Sequence, residues 1–200
     1  MRLQTSEVEE ILVKLHSVNA AGRPALQARV RKLRQLNYPP GLTTGRGNPT
    51  QYSAGDLFRV VLAFEFFEFG MTPQRVIITS GRFVRGIRRA AGEIGAALES
   101  GVFETDYKKQ IFFRFEPVSL ESLGEYQAVA PVDDKYLLSQ SWAYGADEAR
   151  DTIETRRAII NVTILLQRTA SYLNELNIGT AQAFGSGLVC FANEQGWEAE

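Results

Sequence analysis

The segment that starts at Ser53 is predicted to form a helix that belongs to the core. Ser53 and Asp56 have the spacing of a capping box, in which two side chains satisfy backbone groups at the start of a helix. Apolar residues then fall at i, i+3, i+4, i+7 and i+10, namely Leu57, Val60, Val61, Phe64 and Phe67. Other segments of the chain must therefore supply the surfaces that cover this helix.

Two more helices are predicted ahead of it. Ser6 and Glu9 repeat the capping-box spacing, and the apolar residues that follow recur at helical intervals, which predicts a first helix over residues 7–17. Gly22 and Pro24 favour a turn and a new helix start, and Pro39 ends that second helix because the residue before a proline is driven out of helical geometry. The apolar positions of the second helix are Leu26, Val30, Leu33 and Leu36.

A glycine-rich loop with a single arginine, Arg46, connects the second helix to the apolar one. Glycines permit close approach to a nucleic acid backbone, and a guanidinium group can pair with a phosphate through two hydrogen bonds. Beyond the apolar helix, Gly70 is placed to end it, while Thr72 and Pro73 favour a short fourth helix that reaches Thr79. The order is helix, turn, helix, wing, helix, helix.

The two halves of the chain carry opposite charge. Residues 1–100 hold 14 Lys or Arg and 8 Asp or Glu, whereas residues 101–200 hold 8 and 15. Between Glu10 and Asp56 there is no acidic residue. This balance is typical of a protein whose first half meets a polyanion and whose second half does not.

These residues resemble the N-terminal DNA-binding domain of MerR-type transcription regulators. The matching segments are LNYPPGL (36–42), the wing glycines Gly45 and Gly47, QYSAGDL (51–57) and FGMTPQRVI (69–77). The resemblance covers residues 5–79, although the chain has Gln51 where the family usually has arginine and lacks paired aromatics in the second helix. It implies a second helix in the major groove, a wing on the flanking backbone, Tyr52 on a phosphate, and a homodimer.

The candidate DNA-binding residues come from the second helix, the wing and the segment after it. Arginine is the commonest reader of guanine and also a phosphate ligand, so spacing does not assign the two roles among the arginines. The arginines of the second helix can alternatively be solvated surface residues, and Tyr52 can be a core aromatic. The candidates are Arg23, Gln27, Arg29, Arg31, Lys32, Arg34, Arg46 and Tyr52.

A further helix is predicted over residues 82–98. Its apolar positions alternate at spacings of three and four, as in a two-heptad dimer interface: Val84, Ile87, Ala91, Ile94 and Leu98. The same face can instead pack on the C-terminal part of its own chain. The arginines beside it, Arg82, Arg85, Arg88 and Arg89, can extend a DNA footprint or bind the acidic half of a partner.

The second half changes to a mixed pattern. Strands are predicted at 109–115, 126–132 and 157–162, then a helix capped by Thr163, and a last strand in GLVCFA (187–192). The predicted fold class is α+β, with an all-α winged helix-turn-helix region at 1–80, a linking helix at 81–100 and an α+β domain at 101–200. This last domain would serve dimerisation, effector sensing or partner binding, and Phe112, Trp142 or Tyr144 can line an effector pocket or simply pack in the core.

Several classes of protein are disfavoured. No run approaches the length of a membrane span, the N-terminus lacks the apolar stretch of a signal peptide, and a cytoplasmic location is expected. The single cysteine, Cys190, and the single histidine, His16, cannot form a disulfide or a usual zinc ligand set. No catalytic constellation is evident, so neither an enzyme nor a cofactor is predicted.

The sequence therefore predicts a MerR-like regulator that binds specific sites in double-stranded DNA, with RNA polymerase or another protein as a further partner. Two alternatives stay open. One is a DNA-architectural protein of a phage or mobile element, and the other is a module whose basic half docks on an acidic protein.

Overall fold

The computed structural model describes residues 1–42, 49–115, 142–144 and 158–194, with only the backbone described at 142–144. Four helices form the first part of the chain: α1 (Thr5–Leu15), α2 (Arg23–Gln35), α3 (Ala54–Glu68) and α4 (Pro73–Arg82). Each of them was predicted, and α4 extends one turn further than Thr79. The predicted strand at 126–132 lies outside the described residues.

The start of α3 is capped as predicted. The Asp56 backbone N–H donates to Ser53 Oγ at 3.1 Å, and the Ser53 N–H donates to Asp56 Oδ2 at 2.9 Å. Thr72 caps α4, and Gly70 has a positive φ of 78° just past α3. The cap of α1 was misplaced: the helix starts two residues early, with the Gln4 N–H donating to the Glu7 carboxylate at 2.6 Å.

A two-stranded sheet fastens the N-terminus to the segment before α3. Strand β1 (Leu3–Gln4) pairs antiparallel with β2 (Gln51–Tyr52), with Leu3 opposite Tyr52. The expectation of an all-α first region missed these strands, because two-residue segments carry no periodicity. The pairing closes the chain from α1 to the start of α3 into one unit.

The second part of the described chain combines a small sheet with three helices. It contains α5 (Val84–Glu99), a 3₁₀ turn (Tyr107–Lys109), β3 (Ile111–Phe115), β4 (Trp142–Tyr144), β5 (Ala158–Asn161), α6 (Val162–Glu175) and α7 (Ala181–Asn193). The strands are antiparallel in the order β4–β3–β5, and Phe113 of β3 lies opposite both Trp142 and Ile160. The described residues are mainly helical and include two small sheets, a mixture that is compatible with the α+β fold class.

Two details of this part differ from the prediction. GLVCFA is helical, within α7, because Thr180 caps the helix and its buried residues Ala181, Phe184, Leu188 and Phe191 follow a helical period. Asn161, and not Thr163, caps α6, by accepting the Ile164 N–H at 3.0 Å. Thr163 instead accepts the Ile111 N–H at 2.8 Å and so joins α6 to β3.

Helix α5 packs on α7 of its own chain. A Cβ added to Gly185 would lie 2.6 Å from the Gly95 carbonyl oxygen, so the two helix backbones are nearly in contact. The apolar positions Ile87, Ala91, Ile94 and Leu98 are buried on this side. The interpretation as a helix packed within its own chain therefore accounts for the apolar face.

A single hydrophobic core runs through the described residues, from Leu3 to Phe191. Aromatic edge contacts join its two parts: the Phe66 ring lies 5.7 Å from that of Phe113 and 5.0 Å from that of Phe115. The predicted boundary near residue 80 does not coincide with a gap in this core. Among the described residues, none of the helices combines the length and apolar character needed to cross a membrane.

Candidate nucleic-acid interface

Helix α2 has one buried side and one broad exposed side. Leu26, Val30 and Leu33 are buried. Because each residue advances a helix by about 100°, positions 28, 31, 32 and 35 lie together on the opposite side, and position 29 lies at the edge of that side, about 60° from position 32. All five are exposed. We call these residues the outer face of α2: Ala28, Arg29, Arg31, Lys32 and Gln35.

The outer face presents unopposed positive charge. Arg29, Arg31 and Lys32 make no ion pair with any residue that the structure describes. The guanidinium carbon of Arg29 lies 5.8 Å from the centre of the Phe67 ring, which helps to orient this side chain on the surface. Gln35 was not among the sequence candidates, but its place one helical turn from Arg31 and Lys32 identifies it.

Arg23 and Gln27 lie on the flank of α2 that faces α1, where each has a carboxylate partner. Arg23 binds the Glu10 carboxylate through both terminal nitrogens, one of them at 3.0 Å, and Gln27 donates to Glu9 Oε2 at 2.9 Å. The hydrogen bond from Arg23 lowers the pKa of Glu10. Although the sequence has no acid between Glu10 and Asp56, the fold places two α1 carboxylates beside α2, and these two candidates are already paired.

Arg34 fastens α2 to the segment just beyond the glycine-rich loop. Its terminal nitrogen donates to Thr50 Oγ1 at 2.7 Å, and Thr50 is itself buried. The Arg34 side chain is half-buried, with its Nε shielded from solvent. Arg34 therefore positions the loop end, which is a different task from the one the sequence suggested.

Tyr52 is a core residue. It has 0% of its surface exposed, in strand β2 opposite Leu3, and burial raises the pKa of its phenol. A side chain with no exposed surface offers no atom to a phosphate in this conformation. Of the two interpretations of Tyr52, the structure shows the core aromatic.

Arg46 belongs to residues 43–48, outside the described part of the chain. The flanks of that segment are fixed. On one side the Tyr38 hydroxyl donates to Ser80 Oγ at 3.0 Å, and on the other Thr50 accepts from Arg34. Both ends of the loop are thus held close to the C-terminal end of α2.

The arginines around α5 have varied surroundings. Arg88 is half-buried with its guanidinium carbon 5.9 Å from the centre of the Phe191 ring, and Arg89 donates to Glu93 at 2.9 Å. Arg82 and Arg85 are exposed. Since Arg88 is held against α7 and Arg89 has an acidic partner, this group forms a weaker positive surface than the outer face of α2.

The potential metal ligands are dispersed over the described residues. No three His, Cys, Asp or Glu side chains within residues 1–42, 49–115 and 158–194 are placed to hold a metal ion. His16 ends α1, packs 5.7 Å from the Phe64 ring, and has its pKa lowered by burial. It is therefore neutral near pH 7 and adds no charge to the surface.

No protein-family model matches the chain, and the searches of curated proteins and of solved structures also find no significant match. Function is therefore inferred from the geometry and charge of the described residues.

Proposed function

We propose that the protein binds specific sites in double-stranded DNA through the outer face of α2 and acts as a MerR-like transcription regulator. The observation that carries this proposal is that Arg31 and Lys32 are exposed on the outer face of α2 and Arg29 at its edge, and that none of the three has an acidic partner in the described chain. A single α-helix fits the major groove of B-DNA, and arginine on such a helix hydrogen-bonds guanine or phosphate. Gln35 adds an amide that can pair with adenine.

The glycine-rich loop is the second proposed contact with DNA. The described residues on either side of the loop are held by hydrogen bonds, Tyr38 to Ser80 and Thr50 to Arg34. We assign Arg46 of the loop to the DNA backbone beside the groove. Arg23 and Gln27 hold α2 against α1, and Arg34 holds the C-terminal end of α2 against Thr50. A homodimer would bind an inverted repeat, since two-fold protein symmetry is matched by two-fold symmetry in the site.

The first experiment is selection of fragmented genomic DNA by the purified full chain, followed by affinity measurements on the recovered sequences. We expect a few inverted-repeat sites, bound with an affinity that falls steeply as salt rises, because phosphate contacts release counterions. Lys32→Ala should weaken binding about threefold to tenfold and reduce the salt dependence by about one ion. Arg29→Ala/Arg31→Ala should abolish the selection of particular sites.

Lys108→Ala is the matched control for Lys32→Ala. Both remove one exposed lysine, but Lys108 lies in the 3₁₀ turn before β3, remote in sequence from α2. If the two lysine variants lose the same affinity for DNA, the loss comes from net charge alone, and that result would contradict a defined interface. Uniform recovery of all fragments would indicate an architectural protein, and failure to bind duplex at low salt would refute DNA binding and favour an acidic protein partner.

A further inference from the structure

A cleft of about 180 Å³ lies between α5, the segment that follows it, β3 and α6. Its apolar wall consists of Ile94, Ala97, Leu98, Val102 and Ile111. Thr163 and Gln167 of α6 contribute the polar lining. The cleft is separate from α2, and its lining includes none of the aromatic residues from which the sequence suggested a pocket.

The polar side of the cleft is held by a hydrogen-bond network. Gln110 and Gln167 both donate through their side-chain amides to the Glu104 carbonyl, at 3.4 and 3.3 Å. Asn161 donates to the Gln110 side chain at 2.7 Å, and Thr163 accepts from Ile111. Gln110 and Thr163 are almost fully buried, so this side of the cleft is built before any ligand arrives.

Both signs of charge line the same cleft. Glu93 and Glu104 bring carboxylates, and Lys109 brings an ammonium group. Glu93 is partly neutralised by Arg89 at 2.9 Å, and Glu104 accepts the Asp106 N–H at 2.8 Å. Lys109 is exposed and makes no ion pair with a described residue.

We propose that this cleft binds a small zwitterion with an aliphatic side chain, that is, a free α-amino acid of the size of valine or leucine. The ligand carboxylate pairs with Lys109, its ammonium with Glu104, and its side chain packs on Ile94, Ala97 and Val102. The volume is below the ~300 Å³ of sites that take drug-sized ligands, which excludes a nucleotide. This inference is independent of DNA binding.

The test is isothermal titration calorimetry on the full chain with three related probes: leucine, 3-methylbutylamine, which lacks the carboxyl group of leucine, and 4-methylpentanoate, which lacks its amino group. We expect leucine to bind in the range of tens to hundreds of micromolar, as the few apolar and charged contacts allow. Each probe that lacks one charge should bind about tenfold more weakly, since each loses a charge-assisted hydrogen bond. If the amine or the acid binds as tightly as leucine, the ligand need not be a zwitterion and the proposal is wrong on that point. If leucine does not bind at millimolar concentration, the cleft is not a binding site for such a ligand.

Two pairs of variants locate the binding. Ala97→Leu fills the cleft and should abolish leucine binding, whereas Ala96→Leu adds the same volume to the exposed neighbouring position and should not. Lys109→Gln should weaken the binding of leucine about tenfold and leave the binding of 3-methylbutylamine unchanged. Lys108→Gln should change the binding of neither probe. Leucine binding that survives Ala97→Leu would place the ligand elsewhere and contradict the proposal.

Discussion

At the scale of single residues, Tyr38 shows how one buried hydroxyl connects distant parts of the chain. Its side chain is 3% exposed, and its hydroxyl donates to Ser80 Oγ at 3.0 Å, joining the end of α2 to α4. Burial raises the pKa of Tyr38 to about 12, with the Ser80 hydrogen bond opposing part of that rise. Ionising the phenol inside the fold is therefore costly, while the unfolded chain ionises near its ordinary pKa of about 10.

This shift predicts a loss of stability at alkaline pH. The folded pKa is raised, so the stabilisation is fully present below pH 10 and is lost as the pH rises from about 10 to 12, by up to about 1.4 kcal/mol per pH unit. Tyr38→Phe should lower the free energy of unfolding by about 1 kcal/mol at pH 7, because Ser80 loses its hydrogen-bond partner. The variant should not lose stability between pH 10 and 12 through this group. The measurement is urea unfolding at several pH values, with Tyr107→Phe, an exposed tyrosine, as control.

At the same scale, the sequence predicted which side of α2 is buried. The apolar positions Leu26, Val30 and Leu33 are buried, as their helical period predicts, and the structure leaves Arg29, Arg31 and Lys32 exposed. The pairing of Arg23 with Glu10 was not foreseeable. It depends on how α1 and α2 pack, and the intervening turn does not encode that geometry.

At the scale of elements, signals that act within four residues correctly predicted the starts of α3 and α4. The Ser53–Asp56 box and the Thr72 cap were predicted because both partners lie in the same turn of helix. The predicted capping box of Ser6 and Glu9 was wrong, because Gln4 and Glu7 have the same spacing and cap α1 two residues earlier. GLVCFA was mistaken for a strand because its local composition favours strands, whereas the packing of α7 on α5 decides its conformation.

The α5–α7 contact gives a prediction at this scale. A Cβ on Gly185 would lie 2.5 Å from the Glu99 backbone nitrogen, and backbone atoms cannot move aside singly. Gly185→Ala should therefore separate the helices and lower the free energy of unfolding by about 1–3 kcal/mol or more. Gly81→Ala, in α4, meets no atom within 4 Å and should instead stabilise by about 0.5–1 kcal/mol. Thermal unfolding compares the two, and equal effects would contradict the close contact.

At the scale of the whole molecule, the opposite charges of the two halves suggested separable parts, but the core joins them. Arg59 of α3 is buried with its guanidinium carbon 4.6 Å from the centre of the Phe191 ring of α7. A Cβ on Gly55 would lie 2.4 Å from the same ring. Charge distribution acts at the surface and says little about burial, so it could not reveal this continuity.

The shared core predicts that residues 1–80 do not fold alone. Removing the rest of the chain would remove the contacts of α3 with Phe191 and with the aromatic residues of β3. Apolar surface would become exposed, at a free-energy cost of about 25 cal/mol per Å². The fragment should lack dispersed amide signals and a cooperative thermal transition, whereas the full chain should unfold in one transition. A folded fragment would mean that α3 is covered well enough by α1, α2 and α4. The outer face of α2 would then belong to an independent module, and the proposed affinity for duplex DNA could be measured without the C-terminal half.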